Sequence, residues 1–142
     1  MHSTSAKVIL IEDHPRMRTL MSRSLGAQGL ALEGAFETAE AALERLGEGS
    51  SGFAPDLAPD LAIVDISLPG MSGIEFVREL HNRVASCYCL MLSGHSGLEY
   101  VLAAKRAGAR GFVPKDQPDD LFTAITRVLA GEQYWPMLEQ SG

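Results

Sequence analysis

Residues 61–70 read LAIVDISLPG. An unbroken apolar run ending in β-branched Ile63 and Val64 is what a strand covered on both faces requires. It stops at a carboxylate, Asp65, and Leu68, Pro69 and Gly70 then supply turn chemistry. A strand buried on both sides implies parallel sheet with helices above and below, so its neighbours in the sequence should alternate between strand and helix. Downstream they do. Ser72 and Glu75 have the spacing of a capping box, opening a helix that turns Phe76, Val77 and Leu80 inward. Residues 87–92 form a fourth strand, and Ser96 and Glu99 make a second capping-box pair ahead of a helix lined by Leu98, Val101 and Leu102 and closed by Gly108. Residues 111–113 are a short fifth strand. Asp116, Gln117 and Pro118 lead into a last helix with the stripe Leu121, Phe122, Ile125, Val128 and Leu129, ending at Gly131.

Upstream the same alternation holds. Residues 7–11 (KVILI) are a strand, and Pro15 suits the first turn of a helix with the stripe Met17, Leu20, Met21 and Leu25. Residues 30–36 can pair as a second strand, followed by a helical face of Ala39, Ala42, Leu43 and Leu46 that closes at Gly47. Residues 47–59 are rich in Gly, Ser, Pro and Asp and read as loop. Within and just after them, APDL occurs twice in tandem at 54–57 and 58–61, too short a period for a structural repeat. Five strands alternating with five helices, joined by right-handed crossovers, predict an α/β doubly wound parallel sheet in the flavodoxin-like order 2-1-3-4-5. Such a sheet places its site at the carboxyl ends of the strands.

The 142 residues suit one domain, and 46% apolar with 21% charged composition is that of a folded globular chain. No apolar run reaches the roughly 18 residues of a membrane span, and Met1 to Ala6 lacks the basic start and apolar core of a secretory signal, so a cytoplasmic protein without membrane contact is expected. A net charge of −6 argues against direct nucleic-acid binding, which needs clustered Lys and Arg. Cys87 and Cys89, two apart in an apolar stretch, read as buried reduced thiols rather than a disulfide or metal pair.

The chemistry gathers where the strands end. Glu12 and Asp13 follow the first strand, Asp65 the third, Ser93 the fourth and Lys115 the fifth. With the first and third strands adjacent, three carboxylates repel one another unless a cation lies among them, and a few oxygen ligands with positions left open suit Mg²⁺. Lys115 offers a point charge and Ser93 a hydroxyl to an anion. A carboxylate nucleophile, a divalent metal and anion anchors together describe phosphoryl transfer onto Asp65. The alternative for any single carboxylate is a solvated or capping group, and Asp13 is placed to cap the helix that begins at Pro15.

These motifs, namely the Glu12-Asp13 pair, Asp65 in VDISLPGMSG, Ser93 in MLSG and Lys115 in GARGFVPK, resemble the receiver family of two-component response regulators. The likeness runs from Lys7 to Gly131, leaving 1–6 as an N-terminal tail and 132–142 as a C-terminal tail or linker. It implies Asp65 as the phosphoacceptor, Glu12, Asp13, Asp65 and the Ser67 backbone carbonyl as Mg²⁺ ligands, and Ser93 and Lys115 as phosphoryl anchors. Ser93 and Phe112 would then be the switch residues. Phosphorylation would rearrange the fourth helix, fifth strand and fifth helix, with a sensor histidine kinase or phosphotransfer protein as donor and a homodimer possible. The EDHP, GARGFVPKD and AGEQYWP segments are most similar to the branch that carries a LuxR-type helix-turn-helix output domain, which would control transcription from outside this chain. The chain is expected to be a phosphoacceptor that assists its own phosphotransfer and dephosphorylation rather than an enzyme. Many receivers have Pro after the lysine, in a cis bond; here Asp116 follows Lys115, and without proline a cis bond would cost about 3–4 kcal/mol.

The same residues bear other readings. A stand-alone receiver would act by protein contact alone, and a receiver-like module without the chemistry would not need the acidic set. An aspartyl-phosphate phosphatase wants a second Asp two residues after the nucleophile, where Ser67 stands. A flavodoxin-like cofactor carrier would be repelled by Glu12 and Asp13. Phe112 is either core or switch. His14 belongs to the first turn of the first helix, and His95 is placed to flank the phosphoryl site. Arg16, Arg18 and Arg23 are either partner contacts or a solvated face. Trp135, with Tyr134 and Pro136, either anchors the tail on the domain or joins a self-association surface.

Overall fold

A computed structural model describes residues 5–46, 58–94, 97–117, 119–136 and 138. The expectations for His95, Ser96, Pro118 and the duplication at 54–57 fall outside those residues. The elements alternate as β1 (Lys7–Ile11), α1 (Pro15–Ala27), β2 (Ala31–Phe36), α2 (Ala39–Leu46), β3 (Leu61–Asp65), α3 (Gly73–Arg83), β4 (Tyr88–Ser93), α4 (Leu98–Ala107), β5 (Gly111–Pro114) and α5 (Asp119–Leu129). All pairings are parallel and the sheet runs β2-β1-β3-β4-β5.

Alternation along each strand divides the core in two. Ile9, Ile11, Ala62 and Val64 face the layer of α2, α3 and α4, where Phe76, Val77, Leu80, Val101 and Ala104 pack. Val8, Leu10, Leu61 and Ile63 face α1 and α5 with Met21, Leu25, Ile125 and Val128. β3, at the centre, is buried throughout, as its uninterrupted apolar sequence requires.

Two helical stripes are narrower than their periodicity suggests. Leu20 on α1 is 54% exposed and Leu98 on α4 is 53% exposed, because each sits at the margin of its stripe, where no neighbouring element among the described residues covers it. On α4 the contact residues are the small Ala104 and Ala107 with Val101. The N-cap of α4 is Gly97, without a side-chain cap, whereas Ser72 and Glu75 make the α3 capping box in full.

After α5 the chain turns back along β5. Tyr134 bridges Gly111 in parallel register, accepting from the Phe112 amide at 3.1 Å and donating to Arg110 O at 2.8 Å. A Cβ on Gly111 would meet Leu90 Cδ1 at 2.8 Å and Tyr134 O at 3.0 Å, so this approach needs glycine. Trp135 is buried against the α2–α4 layer, with Lys105 Nζ 5.6 Å from its ring centre and its indole donating to Gln133. Of the two readings of Trp135, the structure has it anchored on the domain. Cys87 and Cys89 are both free and buried, and the contact with Cys89 together with burial pushes the Cys87 thiol up, which keeps it protonated.

Candidate functional site: an acidic cluster at the carboxyl edge

β1 and β3 are adjacent, with Ile11 opposite Val64, so the residues that follow Ile11 and the last residue of β3 meet. One carboxylate oxygen from each of Glu12, Asp13 and Asp65 lies within 4.8 Å of the others. Glu12 is fully buried and Asp65 is 2% exposed. Buried carboxylates are rare unless paired, and here a single cation serves two. Lys115, which follows β5, places Nζ 2.8 Å from Glu12 Oε1 and 2.8 Å from Asp65 Oδ2.

Local hydrogen bonds aim the acids. Asp65 Oδ1 accepts from the Ser67 amide at 2.9 Å, and Glu12 Oε2 accepts from the His14 amide at 3.1 Å. His14, rather than Asp13, is the N-cap of α1: its side chain accepts from the Met17 amide, which leaves the Asp13 carboxylate to the cluster. The start of α3 presses on Asp65 from behind, since a Cβ on Gly73 would collide with Asp65 O. The turn between them is tied to α2 by Glu40, whose Oε2 accepts from the Met71 amide at 2.9 Å; that bond holds the Glu40 carboxyl below its ordinary range.

The other predicted residues lie nearby or in the core. Ser93 is buried at the end of β4. Asp65 is opposite Leu92 in the register, so Ser93 lies one residue further along the neighbouring strand, and its carbonyl accepts from the Lys115 amide at 2.8 Å. Ser67 is exposed beside Asp65. Phe112 is not at the cluster; it is fully buried within β5 on the side of α4. No cis peptide bond occurs among the described residues, Lys115–Asp116 included.

One contributor was not identified as such from the sequence. Arg18 turns inward, and its Nη1 donates to Glu12 O at 2.8 Å and Asp13 O at 3.4 Å. No local pattern announces a side chain that returns across one helical turn to a backbone carbonyl. The only available signal was its place on the first turns of the helix after the acidic pair.

The electrostatics follow from crowding. Burial pushes the Asp65 carboxyl up to about 6, opposed by the hydrogen bonds from Lys115 and Ser67 and reinforced by the Glu12 charge. Burial works to lower Lys115, but its hydrogen bond to Asp65, its close pairing with Glu12 and the charges of both outweigh this and hold it above its ordinary value. Glu12 Oε1 is within ion-pair distance of Lys115, yet among the described residues no hydrogen bond of acceptable geometry reaches that buried oxygen. An all-oxygen donor set, an excess of negative charge and an unsatisfied buried carboxylate oxygen together fit a hard divalent cation.

A family model described as the response regulator receiver domain matches residues 8–126. The nitrate/nitrite response regulator protein NarL of Escherichia coli K12 is 32% identical over 129 residues, covering 89% of this chain and 56% of that protein. The transcriptional activator protein ExaE of Pseudomonas putida is 36% identical over 130 residues, with 89% and 56% covered. The chain thus spans about half the length of these curated relatives. Among solved structures, a two-component response regulator of the LuxR family from Aurantimonas sp. SI85-9A1 aligns with a TM-score of 0.79 at 31% identity, over 92% of this chain and 89% of that one.

Proposed function

Because this chain belongs to the response regulator receiver family of two-component systems, we propose that Asp65 accepts a phosphoryl group from a sensor histidine kinase or phosphotransfer protein, with Mg²⁺ held by Glu12, Asp13, Asp65 and the Ser67 carbonyl. The observation that carries the reading is the meeting of Asp65 with two further carboxylates and Lys115 at one edge of the sheet. The chemistry a bound Mg²⁺ supplies is neutralisation of the carboxylates and of the incoming phosphoryl oxygens.

The residues of the chain do the rest. The Ser67 amide and Lys115 hold the two oxygens of Asp65 and so fix the orientation of the carboxylate. The Asp65 oxygen forms the new bond to phosphorus as the donor nitrogen's bond breaks, and the proton needed by the departing imidazole stays with the donor. Lys115 then transfers its contact from Asp65 to a phosphoryl oxygen, and the Ser93 hydroxyl donates to another. Residues 7–131 act as the receiver unit, and Ser93 and Phe112 carry the change to the surface of α4, β5 and α5 as a shift between two populations. The output is transcription, through a DNA-binding domain, and the setting is cytoplasmic.

Intact mass after incubation with acetyl phosphate tests the proposal. It expects a gain of one phosphoryl group in the presence of Mg²⁺ and none in EDTA; an unchanged mass with Mg²⁺ overturns it.

A further inference from the structure

Glu12 and Asp13 are consecutive, and consecutive side chains in an extended chain point to opposite sides. Yet their carboxylate oxygens both lie within 4.8 Å of that of Asp65. The backbone after Ile11 must therefore be rotated and held there. Three ties hold it. The Glu12 amide donates to Phe36 O at 2.9 Å, the His14 amide donates to Glu12 Oε2 at 3.1 Å, and Arg18 Nη1 donates to the carbonyls of both residues of the pair. Among the described residues, only the last spans both peptide planes. Arg18 is itself fixed, since its amide donates to His14 O at 2.9 Å and its carbonyl accepts from Ser22 Oγ at 2.7 Å. Its guanidinium is permanently charged and touches carbonyls, so it adds a cation beside the acids without occupying a carboxylate oxygen.

From this geometry we infer that Arg18 is a positioning residue for the cation site, clamping the carbonyls of Glu12 and Asp13 so that both carboxylates face Asp65. The inference rests on the proposed cation-dependent phosphoryl acceptance. Of the three arginines on α1, it separates Arg18 from Arg16 and Arg23, which are exposed. Losing an interaction that orients a ligand rather than binding the ion weakens metal affinity by roughly tenfold or more, while a half-exposed side chain contributes little to the fold.

The test is thermal unfolding of the full chain against MgCl₂ concentration, for wild type, Arg18→Met and Arg18→Lys. Arg18→Met keeps the apolar stem and removes the donors. Its midpoint without Mg²⁺ should stay near that of wild type, while the Mg²⁺ concentration for half the stabilisation rises roughly tenfold. Arg18→Lys, which keeps charge and a donor, should recover part of that shift. Labelling by acetyl phosphate should be slowed in Arg18→Met at low Mg²⁺ and approach the wild-type rate at saturating Mg²⁺. A half-saturation within twofold of wild type, or a variant whose only change is a lower metal-free midpoint, overturns the role of Arg18 alone. A wild type that never responds to Mg²⁺ overturns the cation reading, and this inference with it.

Discussion

β3 is flanked by two aspartates that do opposite things. Asp60, just before the strand, is exposed and uses Oδ2 to accept from the Lys7 amide at 2.8 Å, so it clasps β1 to β3 at the amino edge. Asp65, five residues on, is 2% exposed and shares Lys115 with Glu12. The residue type is the same and the strand is the same; burial and charged company differ. A solvated carboxylate serves the backbone, while a buried one among like charges is held at a cost to stability that a cation can relieve.

The largest expected difference between the two ends is chemical. Asp65→Asn should abolish labelling by acetyl phosphate with Mg²⁺, and Asp60→Asn should leave it intact, as read by intact mass. Equal labelling of the two variants would break the contrast.

Next is Lys115→Met, which leaves Glu12 and Asp65 buried face to face. Removing one partner of a buried pair typically costs about 3–5 kcal/mol, and the 23% exposure of the Lys115 side chain places it at or below the low end of that range. Urea unfolding in EDTA measures the loss, and Mg²⁺ should restore a good part of it. Lys7→Met at the other edge keeps the backbone amide's bond to Asp60 and should cost under about 1 kcal/mol.

A smaller effect has a definite sign. With the Asp65 carboxyl raised to about 6 from 3.8, the fold favours its protonated form. The stability this group contributes is fully present below about pH 4 and is lost as pH rises through 6. Asp65→Asn removes that loss, so in EDTA the variant should become more stable than wild type between those pH values and level off above them. The plateau is on the order of 1–3 kcal/mol by linkage. Denaturant midpoints across that range check it, and a flat difference contradicts the sign. Smallest is Ser72→Ala, which removes the α3 cap behind Asp65 and should cost about 1 kcal/mol without preventing labelling.

The difference between the ends of β3 also marks what the sequence can disclose. The order of the sheet, the buried run before Asp65 and the Ser72–Glu75 cap were legible because each depends on local pattern plus one topological rule. The convergence of Glu12, Asp13, Asp65 and Lys115 followed from that order, since the ends of parallel strands share one edge. Arg18 was not singled out, because its partners are carbonyls reached across a turn. The sequence left open whether Tyr134 and Trp135 dock on the domain, because the pairing of Tyr134 with β5 depends on the room that Gly111 leaves at an edge. Periodicity likewise identified the faces holding Leu20 and Leu98, but it says nothing of how far a neighbour extends over them.

The most direct measurement is to locate the modified residue. The protein is treated with acetyl phosphate and Mg²⁺, the acyl phosphate is reduced with borohydride, and peptides are sequenced by mass spectrometry. The account predicts homoserine at position 65 alone, and none there when Mg²⁺ is chelated. Reduction at Asp60, Asp13 or any other carboxylate, or at position 65 regardless of Mg²⁺, would contradict it.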